Sequence, residues 1–267
     1  MVKPHVFFRS SVAVALLAFI IGGPASAQSG DDAEETTILG PEYCFPTKAI
    51  TEQITKLDTL KASKRDTVAL VLHVGIDVND GEALPERLEL RRDGVVIPLP
   101  LDENARTRDL VPDLRTEAPD AMFCIVDPAR EGRKVQSAGY DMDFGMRVGF
   151  IETPGTHDLK TLEDGLKDGR SHYKKMVGTF GFLVPKFTHV AISTDADVFP
   201  PVYVTRNGEI VGEPVYEISR DARLYDIDQI EDMDGDGLRI DGPYRISPSP
   251  DAKTVARFLG GDKPEIE

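Results

Sequence analysis

The amino-acid sequence predicts a mainly β protein with minor α content, built from two related β-sandwich-like units joined by a helix-containing segment. Apolar and polar residues alternate over residues 68–78 and 140–150, which is typical of strands with one buried face. The dipeptides Asp93-Gly94 and Asn207-Gly208 favour hairpin turns, because these residues adopt positive φ angles at low cost. Each turn is followed by an Asx-Ala-Arg sequence, and this repeated order indicates an internal duplication.

Residues 1–27 have the pattern of a secretory signal peptide. A basic start precedes a short apolar run over residues 12–21, and small residues at 25–27 form a cleavage sequence. The run is too short for a transmembrane helix, which needs about 20 apolar residues. We therefore expect a periplasmic or secreted protein with no membrane span after the signal is removed.

The rest of the chain is expected to divide into five consecutive parts. These are a flexible acidic leader over 28–40, an N-terminal helix and first β unit over 41–130, a strand and amphipathic helix over 131–186, a second β unit over 187–250 and a C-terminal tail over 251–267. The part over 131–186 is interpreted as an insertion between two copies of one small β unit.

Two amphipathic helices are predicted. Apolar residues from Ile50 to Leu60 recur at helical spacing, and Thr47 is placed to cap this helix. A longer helix is expected from Thr156, as its N-cap, to Met176. Two glycines inside it each cost about 1 kcal/mol relative to alanine, so this helix should depend on tertiary contacts.

Short strands with turn residues between them account for most of the remaining chain. They are expected near 88–97 as a hairpin, and near 122–126, 187–194, 202–206, 209–212 and 215–218. A last strand pair is expected from residues 238–240 and 244–246, followed by a brief helix over 251–259.

The charge of the chain excludes some partners. The sequence has 31 Lys and Arg against 46 Asp and Glu, a formal net charge of −15. Nucleic acids and anionic membrane surfaces are disfavoured, because both are bound through clustered Lys and Arg. Cleavage of the signal peptide would remove Lys3 and Arg9 and make the chain more acidic still. This acidity suits solubility, or basic partners and divalent cations. The β units are expected to bind a protein partner that the sequence does not identify.

Cys44 and Cys124 are the only cysteines of the sequence. In an oxidising compartment an even pair is expected to form a disulfide, here closing a loop of about 80 residues. Two buried thiols are the alternative, since Cys124 lies inside an apolar run.

An acidic stretch near the C-terminus suggests a cation site. Asp232, Asp234 and Asp236 occupy alternate positions next to glycines, which resembles the first half of an EF-hand-type or thrombospondin-repeat calcium loop. The resemblance implies bound Ca²⁺, and Asp241, which lies outside the pattern, is the candidate to replace its missing closing ligand. It ends where an EF-hand has its closing glutamate, because Pro243 stands there. The alternative is an acidic, solvated turn.

Catalytic motifs are scarce. Ser171 and Lys174 match the S-x-x-K pattern, in which a lysine activates a serine nucleophile, but the accompanying S-D-N and K-T-G elements are missing. The histidines after residue 27 are scattered over different predicted elements. We therefore expect an exported binding or envelope-accessory protein without catalytic activity and without a cofactor other than Ca²⁺, and a hydrolase is the least favoured alternative.

Overall fold

A computed structural model describes residues 41–259 except 80, 104, 116–120, 134–138, 152–154, 195 and 220–221. The predicted signal peptide, the predicted acidic leader and residues 260–267 of the predicted tail lie outside the described residues.

The described residues form fourteen strands and five α-helices. The strands are β1 Glu42–Pro46, β2 Val68–Val78, β3 Arg87–Arg92, β4 Val95–Pro98, β5 Met122–Val126, β6 Tyr140–Phe150, β7 Thr156–Asp158, β8 His189–Ser193, β9 Val202–Arg206, β10 Glu209–Gly212, β11 Glu217–Ser219, β12 Ala222–Asp226, β13 Gly237–Ile240 and β14 Arg245–Ser249. The helices are α1 Lys48–Asp58, α2 Val111–Arg115, α3 Leu159–Val177, α4 Asp228–Asp232 and α5 Ala252–Leu259. The predicted class, mainly β with minor α content, is confirmed.

One compact unit comprises residues 41–55 and 71–146. Its four-stranded antiparallel sheet has the order β1-β5-β3-β4. Cys44 lies directly opposite Cys124 in the β1–β5 pair, and the two form the predicted disulfide. The disulfide therefore holds the edge strand β1 to its neighbour.

Both predicted hairpins are confirmed. Asp93 and Gly94 have φ angles of 50° and 75°, and Asn207 and Gly208 have φ angles of 52° and 83°. Two successive positive φ angles match the right-handed twist of the flanking strands, which explains why these dipeptides join β3 to β4 and β9 to β10.

The other compact unit comprises residues 56–70 and 147–259. It contains two four-stranded antiparallel sheets, of order β10-β9-β13-β7 and β11-β12-β8-β14. The predicted last strand pair is wrong, because β13 pairs with β7 and β9 whereas β14 pairs with β8. Ala252 and Val255 of α5 join Ala222 and Leu224 of β12 in one buried apolar cluster.

Helix α3 begins later than predicted. Thr156, expected as the N-cap, belongs instead to strand β7, and the cap is Asp158, whose Oδ1 accepts a hydrogen bond from the backbone N–H of Thr161 at 2.8 Å. Strand β7 ends at Asp158, which is also the N-cap of α3, so no turn separates the strand from the helix. Three residues were too few for the alternation of a strand to show in the sequence.

Two glycines let α3 approach the strands beneath it. A Cβ atom built on Gly165 would lie 2.0 Å from Cε1 of Phe150, and one built on Gly169 would lie 2.2 Å from Cγ of Pro248. Both distances are far below van der Waals contact. The residues that weaken the isolated helix are therefore the ones that permit its close packing.

The order of elements occurs twice along the chain. A strand, a long helix, a strand and a hairpin run from β1 to β4 and again from β7 to β10, and a short helix follows the hairpin directly in the first series but only after β11 and β12 in the second. Just before each short helix, Asp109 and Asp226 accept a hydrogen bond from the backbone N–H two residues later. Residues 131–186 thus supply β6 to the first series and β7 and α3 to the second. The duplication and the domain boundaries stay predictions.

The two series differ after their long helices. Helix α1 has 11 residues and is followed by a 3-10 helix of three residues at Ala62–Lys64, whereas α3 has 19 and continues into a 3-10 helix of six residues at Gly178–Leu183 before β8 begins. Elements that both series share are explained by the fold. The 3-10 helix after α3 is twice as long as the one after α1, so it is the better candidate for a functional site.

Candidate functional site

The 3-10 helix Gly178–Leu183, named the aromatic segment here, presents apolar side chains to solvent. Phe180, Phe182 and Leu183 are 64%, 77% and 56% exposed. Single exposed apolar side chains are common on protein surfaces, but groups of large ones mark interaction sites. The aromatic segment is therefore a candidate contact surface.

The backbone of the aromatic segment is fixed to helix α3. A Cβ atom on Gly181 would lie 2.8 Å from the carbonyl oxygen of Lys174, so the segment folds back on the last turns of the helix. The guanidinium of Arg170 donates hydrogen bonds of 2.8 to 3.3 Å to the carbonyl oxygens of Val184 and Pro185. The exposed side chains thus project from a supported backbone.

A pocket of about 540 Å³, named the basic pocket here, lies beside α3 in the same compact unit. Five cationic residues line it: Lys64, Lys167, Arg170, Lys174 and Lys186. Two acidic residues, Glu163 and Asp228, and the apolar Leu166, Phe187 and Ile227 complete most of the lining. The lining therefore carries more positive than negative charge, whereas the whole chain has a negative net charge.

The sequence around this pocket is unusual for so acidic a chain. Residues 170–194 contain four cationic residues and no Asp or Glu, although the chain as a whole carries −15. Sequence reasoning summed the charge and missed this local excess. Counting charges over short windows of the sequence would have found this stretch without acidic residues.

The cationic side chains that line the pocket differ in whether they already form an ion pair. Lys64 forms an ion pair with Asp168 at 2.9 Å, and Lys167 forms one with Glu163 at 3.3 Å. Lys174 and Lys186 are exposed and have no ion pair with any residue that the structure describes. These two ammonium groups are thus the ones available to an anion.

A buried polar cluster supports the pocket from below. Asp168 is buried, pairs with Lys64 and accepts a second hydrogen bond from the Thr67 hydroxyl at 2.9 Å. Nδ1 of His172 donates to the carbonyl oxygen of Asp168 at 2.9 Å. Burial lowers the pKa of His172, which keeps its ring neutral at neutral pH. The cluster holds residues 64–67 against α3.

Two further histidines have structural partners as well. His157 shares a hydrogen bond of 2.8 Å with the hydroxyl of Tyr244, and burial lowers the pKa of His157. Nδ1 of His189 lies 2.8 Å from the hydroxyl of Thr188. Over the described part of the chain, no group of three or more His, Cys, Asp and Glu residues is placed to hold a metal ion.

The acidic loop begins as the end of a helix. Asp234 has a φ of 64° and donates its N–H to the carbonyl oxygen of Glu231, while Gly235 donates its N–H to the carbonyl oxygen of Ile230, both at 2.8 Å. This pair of bonds is a Schellman motif, which satisfies the last carbonyls of α4. The Asp-Gly sequence here is explained by this helix termination.

The carboxylates of the predicted calcium loop have separate partners. Asp234 forms an ion pair with Arg206, and Asp241 receives two hydrogen bonds, of 2.8 and 2.9 Å, from Arg239. Oδ2 of Asp236 accepts the backbone N–H of Asn207 at 2.7 Å, and Asp232 is exposed at the end of α4. The structure does not bring the four together, and Ca²⁺ binding stays a prediction.

Asp236→Ala is expected to lower the free energy of unfolding by about 1 kcal/mol, because the amide of Asn207 loses its acceptor. Asp232→Ala, its matched control, should change stability by less than about 0.5 kcal/mol. Urea unfolding with and without millimolar Ca²⁺ measures both effects. Stabilisation of the wild type by Ca²⁺ that disappears in Asp236→Ala would instead identify these carboxylates as cation ligands.

The S-x-x-K residues both lie on α3. Oγ of Ser171 donates a hydrogen bond of 2.9 Å to the carbonyl oxygen of Lys167, one turn earlier. A serine hydroxyl bound in this way is satisfied by its own helix, as is common for serine inside helices. Both side chains line the basic pocket.

Within the ranges that the structure describes, no helix has both the length and the apolar character needed to cross a bilayer. Comparisons with protein-family models, with curated proteins and with solved structures found no match. The chemistry of the aromatic segment and the basic pocket is therefore the basis for assigning a function.

Proposed function

We propose that this is an exported, non-enzymatic envelope-accessory protein that attaches to an anionic lipid surface through the aromatic segment. The observation that carries the proposal is the exposure of Phe180, Phe182 and Leu183 on a fixed backbone, beside lysines that have no ion pair with any described residue. Aromatic and aliphatic side chains flanked by Lys are the composition of surfaces that lie in the membrane interface.

The apolar contribution comes from the three exposed side chains. Moving one such side chain fully from water into an apolar medium contributes about 1.5 to 3 kcal/mol. The backbone bonds from Arg170 mean that little conformational freedom is lost when these side chains insert. The three together are enough for reversible attachment of a protein to a membrane surface.

The electrostatic contribution comes from the lysines on both sides of the aromatic segment. Lys174 and Lys175 precede it and Lys186 follows it, and all three are exposed. Each Lys near an anionic bilayer contributes about 1 kcal/mol. This argument replaces the expectation drawn from net charge, because acidic residues more than about 8 Å from the lipid are screened at physiological salt.

The test is binding to vesicles by the processed chain recovered from an exporting host, with its N-terminus determined by mass spectrometry. We expect cosedimentation with vesicles of phosphatidylglycerol and phosphatidylcholine, and much weaker binding to phosphatidylcholine alone. Phe180→Ser/Phe182→Ser should weaken the binding at least about tenfold, which corresponds to 1.4 kcal/mol.

The matched control is Ile210→Ser/Val211→Ser, which removes two exposed apolar side chains from the same compact unit. These residues lie between Glu209 and Glu213 and have no neighbouring lysine in the sequence. The proposal fails if both double variants lose binding equally, or if the wild type does not bind. It also fails if Phe180→Ser/Phe182→Ser dissolves a dimer seen by sedimentation velocity while vesicle binding is absent.

A further inference from the structure

We propose that the basic pocket binds a phosphate ester group carried on a small organic body. The inference does not require attachment to a membrane, because a soluble phosphate ester and a phospholipid headgroup present the same chemistry to the pocket. It starts from the observation that some of the cationic side chains lining the pocket form ion pairs and others do not.

Three cationic groups keep donors free for a ligand. Lys174 and Lys186 have no ion pair in the described part of the chain, and each ammonium offers three donors. Arg170 uses Nε and Nη2 on backbone carbonyls, so its Nη1 remains without a hydrogen bond to any described residue. A phosphate group, with several acceptor oxygens and one to two negative charges, matches this set.

The acidic residues of the lining do not cancel these charges. The carboxylate of Glu163 is paired with Lys167, and Asp168 beneath the pocket is paired with Lys64. Asp228 is exposed and is the lining carboxylate without an ion pair among the described residues. Among the described lining residues, the charges without an ion pair are thus three positive and one negative, which selects an anion over a cation.

The size of the pocket indicates more than a bare ion. Its volume of about 540 Å³ falls in the range of sites for small organic ligands. Leu166 and Phe187 supply apolar surface, and both are buried beneath the opening. A phosphate ester uses the cations for its phosphoryl oxygens and this apolar surface for its carbon skeleton.

The pocket also has fixed walls. Arg170 ties residues 184–185 to α3, and the Phe187 ring packs edge-on against Tyr173 with a centroid distance of 5.3 Å. On the other side, Lys64 and Thr67 bind the buried Asp168. A site with supported walls loses little freedom when a ligand enters, which favours binding.

The soluble arm of the test is isothermal titration calorimetry of the processed chain with glycerol 3-phosphate. We expect saturable binding that weakens at least about tenfold in Lys174→Gln/Lys186→Gln and persists in Lys174→Arg/Lys186→Arg. The charge-matched control is Lys56→Gln/Lys253→Gln, which removes two exposed lysines elsewhere in the same compact unit. Thermal melts establish that all variants are folded.

The bilayer arm assigns the source of the phosphate ester. If Lys174→Gln/Lys186→Gln reduces the free energy of vesicle binding far more per lysine than Lys175→Gln does, the pocket takes lipid headgroups. Equal effects per lysine, with glycerol 3-phosphate binding retained in Phe180→Ser/Phe182→Ser, assign a soluble ester and leave the membrane proposal to be judged on its own result. The inference is overturned if millimolar glycerol 3-phosphate does not bind, or if the control double variant loses as much affinity as the pocket variant.

Discussion

Cys44→Ala/Cys124→Ala is expected to lower the free energy of unfolding by about 4 kcal/mol, the largest single effect that we predict for this protein. The disulfide joins residues 80 positions apart, and breaking it releases the loop closure that restricts the unfolded chain. The loss also frees β1, a strand at the edge of its sheet.

Urea unfolding of the double variant, the oxidised wild type and the reduced wild type measures this effect. The reduced wild type separates the covalent link from the small volume lost at the buried position 124. The reduced wild type should lose most of the unfolding free energy that the double variant loses. A difference below about 1 kcal/mol between oxidised and reduced protein would contradict the prediction and show that sheet pairing alone holds β1.

Gly165→Ala is expected to lower the free energy of unfolding by about 2 kcal/mol, although alanine is the better helix former by about 1 kcal/mol. The new methyl group would lie 2.0 Å from the Phe150 ring, which is itself buried and cannot swing into solvent. Either the ring or α3 must move, and the cost of overpacking exceeds the gain in helix propensity.

A double-mutant cycle with Phe150→Leu checks the cause. The smaller side chain leaves a cavity but makes room for the methyl group, so Gly165→Ala should cost much less in the Phe150→Leu background. Additive losses would mean that the cost arises elsewhere. Denaturant midpoints of the four proteins, compared at equal slopes, provide the measurement.

Local patterns in the sequence were enough for many elements. The long alternation of β2 and β6 and the turn residues at 93–94 and 207–208 act within a few residues, and each produced the element it predicted. Strand β1 was not predicted, because Tyr43, Cys44 and Phe45 are consecutive apolar residues followed by Pro46, so apolar and polar residues do not alternate there. Strand β7 was too short to show a period.

Long-range pairing was beyond the local patterns. Adjacent strands β13 and β14 look like a hairpin in the sequence, yet each joins a different sheet. Which neighbour a strand takes is decided by the whole set of surfaces to be buried, and no turn residue encodes that choice.

The candidate site was predicted least well. The basic pocket needs Lys64 and Lys186 on one surface, and their proximity follows from the packing of residues 64–67 on α3. The spacing of the carboxylates from Asp232 to Asp241 alone suggested a cation site. The structure shows that this spacing suits a helix end, where Asp234 takes a left-handed conformation.

Neither compact unit is a continuous stretch of chain, since residues 56–70 belong with residues 147–259. A cut after residue 146 would leave the second unit without this stretch, and the buried carboxylate of Asp168 without both Lys64 and Thr67. An uncompensated buried charge is strongly destabilising. A truncation or gene fusion at the middle of the chain is therefore not expected to yield an autonomous second unit.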